Sequence, residues 1–152
     1  MRTLTALALA ALVSLAAVPG ARADGDAAAG EKVFIKCKAC HMVGPDAKNR
    51  VGPELNGVIG RVPGTLDTFA FSPAMKDFGV GKVWDEATLT DYLTAPRKVV
   101  TGTKMVFVGL PKPQDVANVI AYLASFNADG SPKTADAAAP AAETPAAPAP
   151  AN

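Results

Sequence analysis

From Met42 to Lys82 the chain passes through one turn signal after another: Gly44-Pro45-Asp46, Gly52-Pro53, Asn56-Gly57, Pro63-Gly64, then Gly79 and Gly81. No alternating apolar run within it is long enough to predict a strand. So long a stretch without regular structure is unusual inside a compact domain. It can be ordered only if something other than regular backbone pairing organises it. Short helical turns around Glu54–Gly60 and Ser72–Phe78 are the most the local pattern supports.

The flanking segments predict three helices and a thin core. Asp26–Lys36 reads as the first, capped by Asp24 or Asp26, with Gly30, Val33 and Phe34 on one face. Glycine inside a helix costs about 1 kcal/mol against alanine, so Gly30 hints at a close helix–helix approach. After Trp84, a second helix spans Asp85–Thr94, with Asp85 as N-cap, Leu89, Tyr92 and Leu93 as its apolar stripe, and Pro96 barring continuation. The third spans Pro113–Ser125, where Val116, Val119, Ile120 and Leu123 repeat at helical spacing. Three such helices do not bury enough for a domain of this size. A large apolar component is missing from the inventory.

Neither end of the 152-residue chain adds to that core. Residues 1–23 read as a secretory leader: Arg2, an uncharged run from Leu4 to Val18, a Pro19-Gly20 break, and Ala21-Arg22-Ala23 as the cleavage pattern. The run is short and Ala-rich for a membrane span, which needs about 20 residues. Residues 131–152 are rich in Ala and Pro, with no aromatic and no large aliphatic residue, and are expected to form a disordered tail. The expected domain is therefore 24–130. Without Arg2 and Arg22, 15 basic residues become 13 against 14 acidic ones, a net charge of −1. That balance argues against nucleic acid as a partner.

The missing component is signalled by Cys37-Lys38-Ala39-Cys40-His41, which holds the two cysteines and the one histidine of the chain. C-x-x-C-H is the attachment signature of a covalent haem c, with His41 placed to become an iron ligand. The rival readings fit poorly. Structural zinc wants four protein ligands, thioredoxin-like chemistry wants a βαβ pattern, and a plain disulfide leaves His41 and the thin core unexplained. A haem would supply apolar surface for the loops to pack on. With no second histidine, the sixth ligand is either a methionine or absent. Met42 follows His41 too closely, which leaves Met75 and Met105. Packing is the commoner role of methionine, and the flexible approach through Thr101-Gly102-Thr103-Lys104 after the Pro96-terminated helix favours Met105 over Met75. A filled sixth position points to electron transfer, an open one to gas binding or peroxidase chemistry.

With those residues in hand, the chain resembles the class I c-type cytochromes, soluble bacterial relatives of mitochondrial cytochrome c. The resemblance rests on Gly30 with Phe34, Cys37-x-x-Cys40-His41, Gly52-Pro53-x-Leu55-x-Gly57, Gly60-Arg61 and Trp84. It continues through Tyr92-Leu93-x-x-Pro96, Thr101-Gly102-Thr103-Lys104-Met105-x-Phe107 and Ile120-Ala121-Tyr122-Leu123. It implies an all-α cytochrome c fold, three main helices and long loops around one haem, and an electron carrier rather than an enzyme. It also implies His41 and Met105 as iron ligands, and a Pro53 carbonyl bonded to His41. Arg61, Trp84 and Thr103 would hold a propionate, and Tyr92 would lie against the Met105 sulfur. Two positions depart from the family pattern: Phe71 replaces a propionate-contacting tyrosine, and Met75 replaces a buried asparagine. The Lys76–Lys82 stretch also looks slightly longer than the mitochondrial pattern.

The implied carrier is a periplasmic monomer. Its partners would be redox proteins such as a membrane cytochrome complex, a terminal oxidase or a periplasmic dehydrogenase. Lys36, Lys38, Arg97, Lys98 and Lys104 would form the docking face at the haem edge. The alternatives are a haem enzyme or gas sensor with a labile Met105, or a tethered module using the Ala/Pro tail as a linker.

Overall fold

In the computed structural model the described residues are 25–133; the expected leader at 1–23 and the tail beyond 133 lie outside them. The Asp26 carboxylate accepts from the N–H groups of Ala28 and Ala29 at 2.8 and 3.2 Å. It thereby satisfies two of the donors that a helix start leaves unpaired, and α1 follows at Ala27–Phe34. Ser72 caps α2, Pro73–Gly79, with proline at the tolerated first position. Asp85 caps α3, Glu86–Thr94, through Thr88 N–H at 2.7 Å. Pro96 then ends α3 and opens a single further turn, α4, Pro96–Val99. The last helix, α5, is Pro113–Ala124.

The three expected helices are present, and the turn expected at Ser72–Phe78 is α2. The turn expected at Glu54–Gly60 is not helical. Asn56 instead turns its side chain to the Gly44 backbone, accepting from Gly44 N–H at 2.8 Å and donating to Gly44 C=O at 3.0 Å. Gly57 takes a positive φ of 57°, which ends any helical path. The described residues contain no strand, only an isolated bridge between Phe126 and Pro132. Ser131–Lys133, expected to open the tail, fold back on the end of α5: Lys133 N–H donates to Ser125 C=O at 2.7 Å.

α1 and α5 cross against each other and form one wall of the core. Gly30 is where they come closest, because a Cβ there would run into the Asn118 carbonyl and the Tyr122 side chain. Phe34 packs against Tyr122 in a tilted pair with ring centroids 5.4 Å apart. Asn118, buried in α5, accepts from Asp26 N–H and from Gln114 Nε2, each at 2.9 Å. The opposite wall is an aromatic cluster in which Trp84 lies 4.9 Å from Tyr92 and 5.7 Å from Phe78. The core also includes Leu89 and Leu93 of α3, Leu110, and Val116, Val119 and Leu123 of α5.

Gly30→Val forces the two helices apart. Overpacking of this kind costs about 1–3 kcal/mol, so the urea midpoint of the holoprotein falls with the slope unchanged. An unaltered midpoint would mean that the helices do not touch there.

Candidate functional site

One cavity of about 660 Å³ runs between the two walls, within the range of about 300–1,000 Å³ usual for ligand and cofactor sites. Cys37, Cys40 and His41 border it directly after α1. The chain leaves the helix in tight turns, with Cys40 N–H and His41 N–H both donating to Cys37 C=O at 3.0 and 2.9 Å. No disulfide joins the two cysteines. Burial pushes the Cys37 thiol above its ordinary value, with Lys36 opposing and Cys40 adding to the rise.

The His41 ring is fixed from behind. Its Nδ1 lies 2.7 Å from Pro53 C=O, so Nδ1 carries the proton and Nε2 keeps its lone pair. Burial lowers the His41 pKa against the opposing pull of this bond, which keeps the ring neutral. Gly52 makes room for it: a Cβ there would collide with the imidazole atoms Cε1, Nδ1 and Nε2. Gly52 N–H in turn donates to Cys40 C=O at 2.9 Å, tying the two loops together.

Met105 lines the same cavity, carried on the loop after α4. Tyr92 Oη donates to its sulfur at 3.2 Å, and its backbone N–H donates to Thr103 Oγ1 at 3.2 Å. Leu110 N–H bonds to Leu93 C=O at 2.8 Å, which pins the far end of the loop to α3. Arg61 and Trp84 are brought together by paired backbone bonds: Trp84 N–H to Arg61 C=O at 2.9 Å, and Gly60 N–H to Trp84 C=O at 3.0 Å. Both line the cavity, as do Pro53, Phe71, Met75, Tyr92 and Thr103. Met75 is 8% exposed and belongs to the core, an apolar filler where a buried amide would have demanded partners.

The five cationic residues of the expected docking face separate. Lys36 and Lys104 border the cavity, but Lys36 is paired with Asp115 at 3.3 Å, an exposed ion pair. Lys38 borders a smaller pocket beside His41 with Arg50 and Tyr122, and Arg97 and Lys98 sit on α4. Sequence reasoning missed the exposed apolar rim made by Val51, Val106 and Val108. It also assigned no role to Glu54, which pairs with Arg61 at 3.2 Å. Glu54 sits at an unspecified position inside the Gly52-Pro53-x-Leu55-x-Gly57 pattern, so nothing in the sequence singled it out.

The arrangement fits one large, flat, mostly apolar group: two thiols at one edge, a neutral imidazole with a free nitrogen, and a thioether on the loop beyond α4. Comparison with known proteins agrees. A family model described as cytochrome c matches residues 27–127. Cytochrome c2 from Rhodoblastus acidophilus is 57% identical over 107 residues, covering 70% of this chain and 98% of that protein. Cytochrome c-554 from Methylosinus trichosporium is 49% identical over 134 residues, covering 88% and 100%. The solved structure of cytochrome cH from Methylobacterium extorquens is 51% identical with a TM-score of 0.61, covering 66% of this chain and 98% of that one. The chain belongs to the cytochrome c family, in its class I. It has the all-α fold of that class, takes one covalently attached haem c, and is an electron-transfer protein rather than an enzyme.

Burial holds the Tyr92 hydroxyl proton above the ordinary tyrosine value, with the Thr103 side chain pulling the other way. The folded state therefore binds this proton more tightly than the unfolded state. Its contribution to stability is complete below the unfolded value of about 10 and is lost as pH rises through the folded value. Unfolding by urea above about pH 10 therefore shows a loss of stability that Tyr92→Phe reduces. Tyr122, raised by burial and by Glu31, retains part of the loss. An unchanged alkaline slope in Tyr92→Phe would contradict this.

Proposed function

We propose that this chain is a soluble periplasmic carrier of single electrons, with Cys37 and Cys40 forming the thioether links to haem c and His41 and Met105 ligating its iron. The observation that carries the reading is the orientation of both candidate ligands toward one cavity. His41 is held by Pro53 C=O, and Met105 by the Tyr92 hydroxyl and the Thr103 side chain. A haem iron with His and Met ligands exchanges one electron at a raised potential.

Each residue has a defined task in this reading. The Pro53 bond fixes the ring orientation of His41 and raises its basicity. Tyr92 stays protonated through neutral pH and so remains a donor to the sulfur. Arg61 and Trp84 meet a propionate at the cavity edge, with Thr103 nearby on the Met105 loop. The aliphatic and aromatic lining excludes water, which disfavours the additional charge of the oxidised state. No nucleophile, acid or base is required.

The leader read at 1–23 supports export to the periplasm. The partners are redox proteins: a membrane cytochrome complex, a terminal oxidase or a periplasmic dehydrogenase. Docking uses the cavity rim, where Val51, Val106 and Val108 supply apolar contact. Lys38, Arg97, Lys98 and Lys104 steer an acidic partner, and Lys36 adds less because Asp115 offsets its charge.

Two experiments bear on this reading. Met105→Ala opens the iron, so the variant binds cyanide and carbon monoxide at neutral pH at least about tenfold more tightly than the parent, a difference of 1.4 kcal/mol. Equal binding by the two proteins would instead favour a haem enzyme or gas sensor. Electron transfer to an isolated oxidase or cytochrome complex slows between about 0.01 M and about 1 M salt, as the screening length shrinks from about 30 to about 3 Å. A flat profile would remove the steering patch.

A further inference from the structure

Glu54 stands where two parts of the site meet. It directly follows Pro53, whose carbonyl accepts a hydrogen bond from His41 Nδ1. Arg61 reaches back to it with both arms: Nη1 donates to Glu54 Oε1 at 3.2 Å and Nη2 to Glu54 C=O at 3.1 Å. The other carboxylate oxygen, Oε2, accepts from Asn56 N–H at 2.6 Å, and Glu54 N–H donates to Asn49 Oδ1 at 2.9 Å. The side chains of Arg61 and Glu54 are only 19% and 16% exposed. Arg61 borders the cavity and Glu54 does not, so the carboxylate acts on the cavity only through the guanidinium.

We propose that Glu54 is a positioning residue that holds Arg61 at the cavity wall and sets the charge presented there, a neutral pair in place of a bare cation. The proposal rests on the reading that Arg61 borders the bound haem. A guanidinium has five N–H donors in a fixed fork. Glu54 accepts from two of its nitrogens, which leaves further donors for a carboxylate entering the cavity. Coulomb interactions at a partly buried site are weakly screened. An unpaired cation beside the cofactor would favour its reduced state, which carries one positive charge fewer. Glu54 offsets that preference and keeps the potential below the value Arg61 alone would give.

The test is the midpoint potential of the holoprotein carrying Glu54→Gln, which preserves shape and removes the charge. The expected result is a shift of the redox equilibrium toward the reduced form by about threefold or more, about 30 mV for a one-electron couple. Glu54→Asp keeps the charge but withdraws it by one methylene, and gives a smaller shift in the same direction. Lower stability with an unchanged potential, the result of a merely structural role, overturns the proposal, as does a downward shift. If Glu54→Asp alone assembles with haem, an unchanged potential in it overturns the proposal equally. The visible spectrum separates this outcome from failure of the functional reading. A parent protein without low-spin bands contradicts the His41/Met105 assignment, whereas intact low-spin bands with an unmoved potential contradict only the role given to Glu54.

Discussion

The bond from His41 Nδ1 to the Pro53 carbonyl, 2.7 Å long, is the constraint around which the turn-rich half of the chain is built. A carbonyl can face the ring only if the 52–55 backbone passes directly beneath it, and Gly52 permits that approach because it has no side chain. The passage is then secured on both sides, by Gly52 N–H to Cys40 C=O and Leu55 N–H to Met42 C=O, each 2.9 Å. Asn56 locks onto Gly44 through two further bonds. Hydrogen bonds of this kind contribute only about 1 kcal/mol each. Their value here is geometric, since together they fix one ring in one orientation without a helix or strand beneath it.

The other side of the cavity is governed by how α3 ends. Pro96 stops that helix and starts a single turn, after which the chain crosses the cavity wall carrying Thr103 and Met105. Gly109 comes close enough to α3 that a Cβ would strike the Thr94 carbonyl, and its positive φ of 107° turns the chain back. The loop is therefore anchored at its far end, while Tyr92 holds its middle through the Met105 sulfur. An anchored methionine suits electron transfer, because a ligand that remains in place as the iron changes charge requires little rearrangement.

The helices were legible because their signals are local. Asp26 and Asp85 cap within three residues of themselves, and the α5 stripe at Val116, Val119, Ile120 and Leu123 is a simple repeat. The cofactor was legible from Cys37-x-x-Cys40-His41 because that spacing is itself chemical. What escaped depends on partners that no periodicity announces. Glu54 finds Arg61 across a turn containing two positive-φ glycines, Gly57 and Gly60. Lys36 finds Asp115 on a helix far along the chain. The supposed helical turn at Glu54–Gly60 failed because the Asn56 side chain prefers a backbone seat at Gly44. Val106 and Val108, 80% and 85% exposed, stand at the cavity rim, where no apolar repeat singled them out.

The central claim is that His41 and Met105 both ligate one iron. The most direct measurement is the visible to near-infrared spectrum of the oxidised and reduced holoprotein. A weak near-infrared sulfur-to-iron band in the oxidised form, with sharp low-spin bands on reduction, is the expected result. A high-spin spectrum lacking the sulfur band would contradict the claim and leave the iron open on the Met105 side.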